Sequence, residues 1–425
     1  MERYRARIAD ALLHEQLEAS GAVLIVGPKW CGKTTTAEQQ AKSVVYMNDP
    51  DTEEELLLIA STNARRLLSG ATPRLIDEWQ MAPKLWDAIR FEVDHREHGI
   101  GQFILTGSAV PANTETIHHS GAGRFGWLTM RPMSLWESGE SSGEVSLKEL
   151  FMGKAPVAGN RKMSIEELAF VCCRGGWPAS VAMKPKAALR QAYNYVDAVC
   201  NTDISRVDGV RREPAFCRRL LKSYARHSGT SATLSTLHAD IAANDANSMS
   251  ENTIASYLQA LRKIFVVEDM PAWNPNLRSK SAIRTSDTRY FTDPSITASA
   301  LGVGPDDLLD DLRTFGFMFE TMAVRDLRVY ASAIDGEVFH FRDRNGLECD
   351  AVVHLRNGAY GLVEVKLGGE KLINEGAASL NLLASKIDTT KMNKPAFRMV
   401  LTGIGQFAYV REDGVMVVPI GCLKN

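Results

Sequence analysis

Residues 22–26, AVLIV, are five apolar positions in a row with a glycine on either side. A run so short and so continuous predicts a strand buried on both faces rather than one lying half in water. Runs of the same kind follow at SVVYMN (43–48), RLIDE (74–78), QFILTGS (102–108) and WLTMRP (127–132), with helical or loop stretches between them. Strands alternating with helices predict a parallel sheet covered on both faces. Near residue 137 the pattern changes. SGESSGEVS (138–146) is a polar, glycine-containing break, and residues 160–230 read as mostly helical. Residues 233–270 then read as helix, turn, helix, strand. In the first helix Leu234, Leu237 and Ile241 share a face; in the second, Ile254, Leu258, Leu261 and Phe265 do, and VVEDM (266–270) follows as the strand. From residue 312 the pattern predicts a helix around FGFMFETMAVRDL, several strands, a helix near EGAASLNLLASK and further strands.

A chain of 425 residues is too long for one core. The pattern divides it into an α/β domain (1–136), a helical region (137–230), a helix-turn-helix module (231–311) and a second α/β domain (312–425). The 45% hydrophobic and 24% charged residues are ordinary for a soluble globular protein. A net charge of −2 excludes a generic polyanion binder, so any nucleic-acid surface is local. The first twenty residues carry charge throughout, which argues against a signal peptide, and no apolar run reaches the length of a membrane span. The seven cysteines are odd in number and without a C-x-x-C pair, which fits neither a disulfide framework nor a zinc knuckle. The expected compartment is the cytoplasm, with no membrane partner.

Chemistry enters at GPKWCGKT (27–34), which matches G-x-x-x-x-G-K-[ST] between a strand and a helix. Glycines let backbone N–H groups curl around a β-phosphate, the lysine reaches the β/γ-oxygens, and the threonine hydroxyl meets Mg²⁺. Gly27, Gly32, Lys33, Thr34 and Thr35 are therefore candidates for binding ATP. Asp77 and Glu78 end the later strand RLIDE, where the aspartate would hold Mg²⁺ with Thr34 and the glutamate would orient the attacking water. Thr106 and Ser108 end the strand QFILTGS, where a group sensing the γ-phosphate would sit. Arg124, in the glycine-rich SGAGRFGW, is either a finger reaching a neighbouring subunit's site or a surface arginine. Trp30 and Cys31 are bulky for such a loop. Further along, the helix-turn-helix pattern turns Asn252, Thr253, Ser256, Gln259 and Arg262 outward, with Arg278, Lys280, Arg284 and Arg289 nearby. Such a helix can enter a major groove and donate to phosphates or base edges, with Asn252, Ser256, Arg262 and Arg284 the leading candidates for DNA contact; packing alone is the other use of the module.

Taken in order, GPKWCGKTT, LIDEWQ, ILTGSA, GAGRFGWLTMRPMSLWE and CRGGWP resemble a family of prokaryotic AAA+ ATPases fused to a C-terminal region of poorly defined function. The resemblance extends from about residue 20 through YLQALRKIFVVEDMPAWNPNLRSK and RYFTDPS to the end. It implies an ATP-hydrolysing homo-oligomer, such as a hexameric ring, with a winged helix among its modules. At the C-terminus, Glu320 on a helix, Asp350 on a strand and Glu364-Val-Lys366 on the next resemble the PD-(D/E)XK nuclease pattern, with Cys349 where a proline usually stands. That resemblance implies Glu320, Asp350 and Glu364 around Mg²⁺ or Mn²⁺, beside Lys366, for metal-assisted phosphodiester cleavage. Cleavage, DNA gripping without cleavage, and a nucleotide-dependent switch with a protein partner in defence or signalling all remain open on these residues.

Overall fold

The structure is a computed structural model describing residues 4–107, 121–156, 163–243, 250–275 and 286–425. Its described chain groups into two compact units. The first is assembled from Met1–Pro132, Asn201–Arg212 and Gln259–Phe265.

In that unit the order is α1 (Ile8–Ala19), β1 (Ala22–Val26), α2 (Lys33–Glu38), β2 (Ser43–Tyr46), α3 (Glu53–Asn63), β3 (Arg74–Asp77), α4 (Lys84–His95), β4 (Phe103–Gly107) and β5 (Phe125–Thr129). The strands form a sheet in the order β2-β3-β4-β1-β5, every pair parallel. The five buried positions of β1 explain the continuous apolar run. Ala22, Leu24 and Val26 face a core with Leu85 and Ile89 of α4, while Val23 and Ile25 face a second core with Leu13 and Leu17 of α1. Each such aliphatic side chain contributes about 1.5–3 kcal/mol when fully buried, so β1 is the spine of the unit. Strand β5 starts at Phe125, two residues before the expected run, because Phe125 stacks on Trp86 at 3.8 Å and 8°. The sheet order changes direction at β1, which places the β1–α2 loop where ligands of open α/β sheets bind.

The second unit comprises Met133–Cys200, Glu213–Leu258 and Val266–Asn425. Its centre is the helix Leu312–Ser332, which buries Phe315, Met318, Phe319 and Met322. A mixed sheet has six strands in the order Tyr409–Val410, Met416–Pro419, Phe397–Thr402, Tyr360–Lys366, Glu348–Leu355 and Gly336–Arg342. Helix Glu370–Lys386 covers one face of it, packing Ala377, Leu380 and Leu383 with Val352, Leu362 and Val400. The helices Leu234–Ala242 and Glu251–Lys263 are present. The strand expected at 266–270 is reduced to isolated bridges, Val267 to Phe291 and Met270 to Thr288, and Pro271 stops the ladder by lacking an N–H. Elsewhere in this unit Arg325 is buried between Asp293 (2.8 Å) and Asp326 (2.7 Å), each of which also accepts from a backbone N–H, of Gly176 and Leu135 respectively. No described helix is long and apolar enough to cross a membrane.

Candidate functional site

The loop after β1 is shaped by its glycines. Gly27 has φ 150°, and a Cβ there would stand 2.1 Å from the Met130 carbonyl oxygen; Gly32, at φ 98°, turns the chain into α2. Between them Trp30 takes a left-handed φ of 66° and is exposed, while Cys31 is fully buried, which removes it from solvent oxidants. Lys33 is buried, its Nζ donating to the carbonyls of Gly27 (2.9 Å) and Pro28 (2.8 Å). Thr34 Oγ1 donates to Asp77 Oδ1 at 2.8 Å, and Thr106 Oγ1 donates to the same oxygen. Three elements thus converge: the start of α2, the end of β3 and the end of β4. Thr35 is exposed on α2.

Glu78 follows Asp77 with φ 54°, a left-handed conformation that non-glycine residues seldom adopt. Burial pushes its carboxyl up and Asp77 adds to this, while the Gln80 hydrogen bond, Lys33 and Lys29 pull it down; the net shift is upward. At the same strand end Trp79 Nε1 and Gln80 Oε1 are buried without hydrogen-bond partners. Glycine loop, cation, hydroxyl and two carboxylates suit a nucleotide with its divalent cation. Two supports escaped the sequence reading. Arg7 donates to the carbonyls of Cys31 (2.7 Å) and Arg131 (2.8 Å), and Asp203 holds Lys29 at 2.6 Å. No motif marks either, since Asp203 is 174 positions from its partner. Arg124 lies on β5's approach with its Nε 2.9 Å from Asp94 and Nη1 on the Ala122 carbonyl. Ser108 lies outside the described residues.

In the second unit Asp350, Glu364 and Lys366 meet. Lys366 Nζ is 2.6 Å from Glu364 and 3.1 Å from Asp350, and Asp350 also accepts from the Val365 N–H at 2.7 Å. The strand pairing sets this up, because Glu364 and Lys366 share a face and Asp350 lies on the neighbouring strand. Lys366 is held charged: the fields of Asp350 and Glu364 outweigh the burial that opposes ionisation. Glu320, half-buried, accepts from the Tyr290 hydroxyl. Burial, then the charge of Asp350, pushes both Glu320 and Glu364 up to about 8. Glu320 and Asp350 line one pocket. Among the described residues no group of three His, Cys, Asp or Glu is placed to hold a metal ion, and the Lys366 ammonium already sits between two of the carboxylates.

On helix Glu251–Lys263, Asn252, Thr253, Gln259 and Arg262 are exposed and Ser256 is half-buried. Arg284, with Arg278 and Lys280, lies outside the described residues. Arg289 does not add to a positive surface, because it is largely buried and paired with Asp269 at 2.7 Å.

Residues 19–138 match the family described as "AAA domain". Sheet, loop and match together make this segment a P-loop ATPase domain of the AAA type. Residues 165–307 and 315–423 match two families described only as domains of unknown function (DUF8612 and DUF4143). Over its length the chain is similar to the uncharacterized proteins Rv2008c of Mycobacterium tuberculosis and Mb2031c of Mycobacterium bovis. It is 23% identical to each over 417 residues, covering 97% of this chain and 83% of theirs. Among solved structures it is similar to the Walker-type ATPase PABY2304 of Pyrococcus abyssi (14% identity, TM-score 0.42, 70% of this chain and 96% of that one). A further similar structure is the Orc1 protein of Aeropyrum pernix in complex with DNA (14% identity, TM-score 0.23, 73% and 95%).

Proposed function

We propose that this protein hydrolyses ATP at the loop between β1 and α2, as a homo-oligomeric ring, and couples its nucleotide state to engagement of DNA. The hydrogen bond from Thr34, next to Lys33 in the loop motif, to Asp77 carries the ATP reading, since residues 43 positions apart converge there. Lys33 would exchange its two loop carbonyls for β- and γ-phosphate oxygens. Thr34 and Asp77 would hold Mg²⁺, which when bound screens the phosphate charge. Glu78 would accept a hydrogen bond from the attacking water, and its raised affinity for a proton suits it to that role. DNA would meet the exposed face of helix Glu251–Lys263, which offers Asn252, Gln259 and Arg262 together.

A second reading, favoured by the convergence of Asp350, Glu364 and Lys366, is a C-terminal nuclease. As placed, the Lys366 ammonium sits between Asp350 and Glu364, and the binding reading is the one we favour. One set of assays separates these. Lys33→Ala should lose ATP binding, and Glu78→Gln should bind ATP but turn it over at least about 100-fold more slowly. Wild-type turnover by Lys33→Ala would refute the site. Labelled linear, forked and four-way DNA with Mg²⁺ or Mn²⁺ should be bound and left whole. Cutting abolished by Asp350→Ala would establish the nuclease, and no binding to any DNA form would leave a protein-directed switch.

A further inference from the structure

Lys29 stands in the phosphate loop beside the two carbonyls that hold Lys33, yet its own ammonium is drawn to Asp203 at 2.6 Å. The two partners are unequal. The Lys29 side chain is 44% exposed and Asp203 only 10%. Asp203 ends the π-helical turn Val199–Asp203, an uncommon conformation that recurs at functional sites. The stretch that carries it, 201–212, is braced from within: Arg212 clasps Asp208 through both Nη atoms (2.7 and 2.8 Å) and donates to the Ile204 carbonyl (2.9 Å). A buried carboxylate therefore faces a partly exposed lysine on a long, flexible stem. That lysine's charge also reaches Glu78.

We propose that Lys29 reads the γ-phosphate of bound ATP, leaving Asp203 to do so, and that Asp203 is the positioning residue that sets the threshold for that move. The inference rests on the ATP reading above. A triphosphate brings one more charged group to the loop than a diphosphate, so it competes for Lys29 where ADP does not. Once Lys29 leaves, Asp203 is a buried carboxylate without its cation, and the 201–212 stretch loses its tie to the loop. ATP and ADP thereby give the first unit two states, differing in which anion Lys29 serves.

The test is calorimetric titration of a non-hydrolysable ATP analogue and of ADP against wild type, Asp203→Asn, Lys29→Ala and Lys33→Ala. Hydrogen exchange over 201–212 is followed in wild type with each nucleotide. Asp203→Asn frees Lys29 beforehand and should raise the ATP-to-ADP affinity ratio about fivefold. Lys29→Ala should bring the ratio toward one. Exchange in 201–212 should quicken with the analogue and not with ADP. If Lys29 only anchors the loop, both variants weaken both nucleotides alike and exchange is the same with either, and the proposal falls. A wild type that binds no nucleotide refutes the ATP reading itself; binding lost in Lys33→Ala with an unchanged ratio in the other two refutes the latch alone. Should Asp203→Asn not fold, the exchange comparison in wild type still decides.

Discussion

Glu320 and Glu364 share Asp350 as their main charged neighbour but differ in their cations. Glu364 has the Lys366 ammonium at 2.6 Å, whereas among the described residues no cation stands within ion-pair distance of Glu320. Burial, then the charge of Asp350, favours the protonated form of Glu320. Its carboxyl is pushed from an ordinary 4.5 to about 8, so between those values the folded chain holds a proton that the unfolded chain has released. Stability is then greatest below the unfolded value and falls as pH rises through the folded one. Melting temperature should decline from about pH 5 to pH 9, and Glu320→Gln should flatten that decline; an equal slope in the variant would place the proton elsewhere. At this scale the sequence was informative wherever chemistry follows chain order. Lys33 and Thr34 were legible from their glycines, and Asp77 from the apolar strand that ends on it. Arg7 and Asp203 were not, because each acts on the loop from a distant part of the chain through contacts that leave no periodic trace. The ammonium between Asp350 and Glu364 was illegible for a related reason. Spacing brings Glu364 and Lys366 to one face but does not say that the ammonium will fill the space between the carboxylates.

At the scale of elements, the continuous apolar runs placed β1, β3 and β4 closely, because a strand buried on both faces admits little else. Periodicity located the helices Leu234–Ala242 and Glu251–Lys263, because each buries one face at helical spacing. It overstated the segment after them. Val266 and Val267 are apolar and buried as a strand would require, but Pro271 and left-handed Phe265 bracket the run and leave it single bridges. Helix Glu251–Lys263 is therefore the element on which DNA engagement stands or falls. Its Arg262 is exposed at the C-terminal turn, where a cation also suits the helix dipole. If Arg262 meets one phosphate, Arg262→Gln should reduce the slope of log K against log salt by about one unit while leaving ATP turnover without DNA unchanged. Gel-shift titrations across salt concentrations read this directly. A slope equal to that of wild type would return the helix to packing alone.

At the scale of the whole molecule, reading along the chain divides it into consecutive segments, but the first unit is completed by 201–212 and 259–265, which no local pattern could assign to it. Oligomerisation is a property of the same scale, and Arg124 is the residue that tests it. Within its own chain it is 45% exposed and paired with Asp94, an ion pair open enough to contribute little to stability. An arginine so weakly committed can be drawn to a γ-phosphate in a neighbouring copy at small cost. If the ring forms and Arg124 serves the adjacent site, Arg124→Ala alone should lose about 10³-fold or more in ATP turnover with its melting temperature nearly unchanged. Lys33→Ala is inactive for the opposite reason, since it keeps the finger and lacks the phosphate cation. Mixed, the two variants form boundaries at which one chain supplies Lys33 and its neighbour supplies Arg124, so turnover should return in part, rising with total protein concentration. Recovery at constant stability has no explanation within a single chain. Normal turnover by Arg124→Ala, or a mixture no more active than its parts, would make Arg124 a surface residue bound to Asp94 and nothing more.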